Sequence, residues 1–183
     1  MKKKYKYGII LPLKESYLQK SSGAVSIFVN EYLKNSKLSD DTIIFTNKLK
    51  GKYLTNNVCG IDGNDTFFSN LNYIKKICKT NFFANLEHIE IHNRPLYAEY
   101  IKKNFPNVKI SLFLHNTFFE KNSIRNKNRK NFLLNNCDSV IFVSNFLKKQ
   151  FFNNLNFNDR NNAHIIYNSV SKAKTFNIKK EKI

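Results

Sequence analysis

The sequence predicts an α/β fold, a Rossmann-like parallel sheet with helices on both faces. Three observations carry this expectation: short continuous apolar runs, longer segments whose apolar residues recur at helical spacing, and a regular alternation of the two along the chain. Continuous apolar runs suit strands buried on both faces, and repeated strand–helix steps suit a parallel order. At 183 residues there is room for one domain with a full core.

The first strand lies in "YKYGIILPL" (residues 5–13), and after a polar loop "SSGAVSIFVNEYLKN" (21–35) shows helical spacing. "DTIIFT" (41–46) is a second strand. "GIDGND" (60–65) reads as a turn-rich connection into "TFFSNLNYIKKICKTNFFANL" (66–86), whose aromatics recur on a helical face. The alternation continues with "HIEIH" (88–92), "RPLYAEYIKKNF" (94–105) with Pro95 near a helix start, and "KISLFLH" (109–115). Then "SIRNKNRKNFLLNN" (123–136), "DSVIFVS" (138–144), "NFLKKQFFNNL" (145–155) and a last strand, "AHIIYN" (163–168), complete the pattern.

Hydrophobic content of 42% beside 24% charged residues is that of a folded globular protein. No stretch approaches the roughly 20 apolar residues of a membrane span. The apolar core of "MKKKYKYGIILPLKESY" is too short for a signal peptide, so a cytoplasmic chain is expected. Cys59, Cys78 and Cys137 lie far apart, without C-x-x-C or a His partner at metal spacing, and read as reduced core thiols. The formal charge of +18 favours anionic partners: nucleic acid, phosphorylated substrates or an acidic membrane face. No helix-turn-helix, finger or RNP-like motif accompanies it, so no specific nucleic-acid partner is expected. Arg125, Lys127, Arg129 and Lys130, ahead of Phe132, Leu133 and Leu134, form either a solvated helix face or a basic amphipathic element for an anionic membrane surface at the inner face of the membrane.

In open α/β sheets ligands bind outside the carboxyl ends of the strands, where helix N-termini offer backbone N–H groups. Two apolar runs end there in the same pair, His92-Asn93 and His115-Asn116, and a third ends in Ser144. A lone His at a strand end reads as a loop cap; two on one rim point to a ligand. Ser22-Gly23, opening the first helix, serves turn geometry or the approach of a phosphate. G-x-G-x-x-G is absent, so there is no dinucleotide fingerprint. Ser144 ahead of "NFLKK" reads first as a helix N-cap. Phe118 and Phe119, just beyond the second His, line a cleft or pack; His88 and His164 fall at the opposite edge.

"SSGAVSIFVNEYLKN", "IEIHNRP", "ISLFLHN", "CDSVIFVSNFLKKQF" and "HIIYNSV", in this order and spacing, resemble the N-terminal half of a family 4 glycosyltransferase. The resemblance implies a two-domain GT-B fold, with residues 1–170 as the acceptor-side domain and 171–183 as a linker into a C-terminal domain missing after "NIKKEKI". It implies retaining transfer, without a metal or other cofactor, from a nucleotide-diphosphate sugar donor to a glycan or lipid-linked acceptor of the cell envelope. By the same resemblance His115 is the catalytic His beside the transferred sugar, and Ser22 and Gly23 belong to the loop that approaches the donor phosphates, Ser22 standing where a second Gly is common. His92, Asn93, Arg94, Asn116 and Ser144 are then substrate-binding, with Arg94 able to meet an anionic group as a planar fork. Asn168 matches the Asn of an N-G-V segment in which Ser169 replaces Gly.

Three functions are consistent with these residues. The first is half of an enzyme, inactive alone because the donor-binding half is absent. The second is a non-catalytic module for glycan or phosphorylated ligands, or one subunit of a split transferase. The third, a basic nucleic-acid protein, predicts affinity that falls steeply with salt.

Overall fold

The computed structural model describes residues 3–63, 69–116, 124–153, 155 and 161–168. Seven parallel strands form one sheet: β1 (Tyr7–Ile10), β2 (Thr42–Asn47), β3 (Val58–Ile61), β4 (His88–His92), β5 (Lys109–Leu114), β6 (Ser139–Phe142) and β7 (Ala163–Ile165), in the spatial order β3-β2-β1-β4-β5-β6-β7. The chain winds outward from β1 to one edge, then returns to place β4 on the other side of β1. The strand order therefore reverses between β1 and β4, the position at which such sheets open a crevice for ligands.

Helices α1 (Ala24–Lys34), α2 (Ser69–Cys78), α3 (Pro95–Asn104), α4 (Ile124–Asn136) and α5 (Asn145–Phe152) supply the covering layers. Their distribution is uneven. Tyr73, Ile74, Ile77, Tyr97, Ala98, Ile101, Leu133, Leu134, Phe151 and Phe152, from α2 to α5, pack with Ile89, Ile91, Leu112, Leu114 and Phe142 on one face. The other face holds α1, through Val25, Phe28, Val29 and Leu33, against Ile9, Ile44, Phe113 and Ile141. Burial of these side chains, at about 25 cal/mol per Å2 of apolar surface, is the main stabilising contribution to both layers.

Two elements differ from the sequence expectation. The turn-rich stretch at residue 60 is the end of strand β3, which escapes notice because it is four residues long, lies at the sheet edge and contains Gly60. Gly60 is needed there: a Cβ would lie 2.7 Å from the Tyr53 hydroxyl and 3.3 Å from the Lys48 backbone. The helix expected over 66–86 ends at Cys78, where the Thr80 hydroxyl donates to the Ile77 carbonyl, and the chain continues through a 3-10 turn at Phe83–Asn85. Phe83 is buried all the same, so its aromatic signal was tertiary packing rather than helix.

Candidate functional site

Side chains alternate across a strand, so His88, Glu90 and His92 of β4 share one face, as do Ser111 and Phe113 of β5. That face lies under α1. His88 Nε2 meets Ser111 Oγ at 2.8 Å, closing the row at its amino end. At the other end His92 is fully buried, stacked on Phe113, with Nε2 at 2.7 Å from Glu90 Oε1 and Nδ1 at 2.9 Å from His115 Nε2. Tyr32 of α1 donates its hydroxyl to the same Glu90 oxygen. Burial first, and the adjacent Glu90 second, hold the Tyr32 phenol well above its usual range, so it remains a donor. A polar chain thus runs from Glu90 through His92 to His115.

Asn93 explains why a His-Asn pair closes β4. It is buried with φ 55°, a left-handed conformation that Asn tolerates better than most residues, because its side chain bonds locally. Its N–H donates to the Phe113 carbonyl at 2.8 Å, and its Oδ1 accepts the His115 N–H at 2.7 Å. The end of β4 therefore clamps the end of β5 and fixes where the His115 ring emerges. Desolvation, and then the neighbouring His92, push the His115 imidazole down to about 3, so at neutral pH it is uncharged. A neutral imidazole beside a cavity has one ring nitrogen to donate and one to accept.

The cavity, about 360 Å3, lies at the crevice between β1 and β4. Pro12, Lys14 and Glu15 after β1, Ala24, Val25 and Phe28 of α1, and Asn93, Arg94, His115, Asn116 and Asn168 form its walls. Arg94 stands at the N-cap of α3, with Nη1 donating to the Asn93 carbonyl at 2.8 Å. Its Nε is buried and has no hydrogen-bond partner among the described residues. Of the expected site residues, His115, Asn93, Arg94 and Asn116 are thus brought together, joined by Asn168, while His92 sits behind His115 as its support.

Ser22 and Gly23 are arranged differently from the expectation. The Ser22 hydroxyl donates to the Leu18 carbonyl at 2.6 Å, within its own loop. Gly23 is the N-cap of α1 with φ −77°, so no left-handed backbone calls for glycine. What calls for it is Glu15: a Cβ at Gly23 would collide with the Glu15 carboxylate, which accepts the Ser26 N–H at 3.0 Å. The positive end of α1, where a phosphate was expected, is occupied by the chain's own carboxylate. Ser144 caps α5, accepting the Leu147 N–H at 3.2 Å, and is not among the cavity walls. Phe118 and Phe119 lie outside the described residues.

The basic element on α4 is partly turned inward. Arg129 pairs through two nitrogens with Glu99 of α3, and Lys130 is buried, donating to the Asn153 carbonyl at 3.1 Å over the Phe151 ring. Lys127 is exposed, and the Arg125 side chain lies outside the described residues. Two of the four cations expected on a membrane-facing surface therefore hold α4 to its neighbours. Among the described residues no helix is long and apolar enough to cross a membrane, and no group of three or more His, Cys, Asp or Glu side chains is arranged to hold a metal ion.

The functional residues that the sequence reading overlooked are Glu90, Tyr32 and Glu15. Glu90 had a legible signal, since "HIEIH" places polar residues at 88, 90 and 92 on one face of a buried strand. Tyr32 and Glu15 had none, because their partners are 58 and 11 residues away.

The sequence matches no family model and no curated protein. The fold, however, is found among solved structures. The crystal structure of Anabaena Alr3699/HepE in complex with UDP and glucose superposes on 91% of this chain with a TM-score of 0.61 at 13% identity. The matched region is 45% of the HepE chain, so the present chain spans less than half the length of that protein. At this identity the likeness establishes a shared Rossmann-like α/β architecture.

Proposed function

We propose that the chain is the N-terminal, acceptor-side half of a two-domain GT-B glycosyltransferase that moves a sugar from a nucleotide-diphosphate donor. One observation carries the reading: a neutral His115 opens on a cavity at the sheet's switch point, beside Arg94 and the start of α1, in a fold shared with a protein crystallised with UDP and glucose. In this reading residues 1–170 form the domain, and 171–183 lead toward a donor-binding half. His115 hydrogen-bonds a hydroxyl of the transferred sugar, while Asn93, Arg94 and Asn116 line the place where sugar and acceptor meet. His92 supports His115 from behind. The family 4 resemblance adds retaining chemistry and a cell-envelope glycan or lipid-linked acceptor. Donor phosphates approaching Gly23 displace Glu15 from the α1 N-terminus.

Holding donor and acceptor in reacting geometry contributes roughly 7–11 kcal/mol to such reactions, and half a cleft holds only one of them. The test is transfer from a panel of nucleotide sugars, run on this chain and on the chain extended by the coding sequence downstream of residue 183. Turnover only by the extended protein is expected. Robust turnover by the chain alone refutes the half-enzyme reading. Nucleotide-sugar binding without turnover in either form supports a binding module in its place. Turnover restored by adding a separate chain that carries the donor-binding half distinguishes a split enzyme.

A further inference from the structure

The buried chain behind the cavity has a direction. Tyr32 donates its hydroxyl to Glu90 Oε1, so that oxygen is an acceptor. His92 Nε2, 2.7 Å from the same oxygen, must then carry a proton. When His92 carries that proton alone, Nδ1 holds a lone pair, and the atom facing it at 2.9 Å is His115 Nε2. In that state His115 Nε2 supplies the proton to the contact, whereas a doubly protonated His92 would donate from Nδ1 instead. The remaining His115 nitrogen, Nδ1, carries a lone pair and is the one left for the cavity, which the ring lines.

We infer that Glu90, acting through His92, fixes the tautomer of His115, so that the cavity meets its ligand with a hydrogen-bond acceptor. Such a site selects a ligand group that donates, a sugar hydroxyl, over one that only accepts, such as a phosphate oxygen. Glu90 and His92 are positioning residues in this arrangement; neither lines the cavity. Glu90 is a glutamate on a central strand with its side chain 21% exposed, and the two hydrogen bonds to its Oε1 offset part of the cost of partly burying a carboxylate. The sugar hydroxyl rests on the sugar-transfer reading. The tautomer does not.

Nitrogen NMR of the histidine-labelled chain at pH 8 tests both parts, with the His115 signals identified by their loss in His115→Ala. The expected spectrum shows His115 protonated at Nε2 and bare at Nδ1; the opposite tautomer in the wild-type chain overturns the inference without any variant. Glu90→Leu removes the anchor, and His92→Phe, whose ring can stack on Phe113, cuts the chain one link later. Each should lose the single tautomer in favour of a mixture. A His115 that keeps one Nε2–H tautomer in both variants shows that Glu90 does not set it. Titrating glucose and sulfate, an oxyanion that carries no proton at pH 8, then reads the ligand. Glucose should move the Nδ1 signal and sulfate should not. A larger response to sulfate overturns the selectivity, whereas no response to glucose removes the sugar hydroxyl and leaves the tautomer standing.

Discussion

At the ends of β4 and β5 the rim turns a polar atom outward, whereas at the start of α1 it turns one inward. Both places lie on the same cavity. At the first, buried groups satisfy one another in series until a single ring nitrogen of His115 is left over. At the second, the exposed end of a helix is closed by Glu15. The difference lies in what each donor or acceptor can reach. Glu90 already receives Tyr32 and His92, while the α1 N–H groups find a flexible carboxylate eleven residues upstream. A helix N-terminus is therefore an anion site only when its own chain leaves it open.

The largest expected effect sharpens the first half of this contrast. An unfolded His titrates near 6.5, whereas His115 in the fold is held down to about 3. Between these values the unfolded state binds the extra proton. The neutral ring's contribution is therefore fully present above about pH 6.5 and lost as the pH falls toward 3. The ideal slope is about 1.4 kcal/mol per pH unit. Partial exposure of the ring reduces this to roughly 2 kcal/mol between pH 7 and 4. Denaturant unfolding at several pH values should show a shallower acid loss in His115→Ala than in the wild type, since Glu90, Tyr32 and His92 face the site in both. Equal slopes would mean that the ring is solvated like any surface imidazole.

Next in size is catalysis. On the sugar-transfer reading proposed above, His115→Ala in the extended protein removes one uncharged hydrogen bond to the sugar, about 1–1.5 kcal/mol. That converts to roughly a tenfold lower transfer rate with the fold intact. The check is rate together with thermal stability at neutral pH. An unimpaired variant returns His115 to a loop-capping role and breaks the distinction between the two halves of the rim.

How much of this was legible in the sequence follows the range of the forces involved. The parallel sheet was readable because each buried strand carries its own apolar run, as Ile89, Ile91, Leu112 and Leu114 do. The strand-end positions of His92 and His115 followed from that pattern and one rule of sheet topology. What stayed hidden was pairing between distant residues: Tyr32 with Glu90, and Glu15 with Ser26. The basic run on α4 misled for the same reason, because the Glu99 that receives Arg129 lies 30 residues away. Gly23 was noticed for the approach of a phosphate and not for Glu15. Its neighbour is a side chain, which no local spacing announces.

A smaller effect tests that neighbour. Gly23→Ala would put a methyl group where the Glu15 carboxylate sits, and since that carboxylate ends a flexible side chain, it yields. What is lost is its bond to the Ser26 N–H, about 1 kcal/mol, the usual contribution of a helix cap. On a Glu15→Ala background nothing remains to displace, and the same substitution should be neutral or slightly stabilising, because alanine restricts the unfolded chain. A double-mutant cycle by denaturant unfolding reads the coupling. Additive costs would mean that Gly23 is present for some reason other than Glu15.

The smallest expected effect asks whether the inward-turned half of the rim can be opened. Glu15→Gln keeps an oxygen that can accept the Ser26 N–H but removes the negative charge that neutralises the start of α1. A diphosphate approaching that helix end then meets the dipole without a competing anion. The dipole's interaction with an anion is about 0.3–1 kcal/mol, so UDP affinity should rise roughly two- to fivefold, and more clearly at low salt. UDP titrated into the wild type and the variant, followed at the Ser26 amide, provides the measurement, with His115→Ala as the control whose UDP affinity should not change. If Glu15→Gln leaves UDP binding unaltered, the phosphates do not use the α1 terminus, and Arg94, with its buried Nε, is the next group on the same wall to test. If His115→Ala weakens UDP as much as it slows transfer, the two halves of the rim hold the same part of the donor, and the contrast between a sugar-facing and a phosphate-facing edge fails.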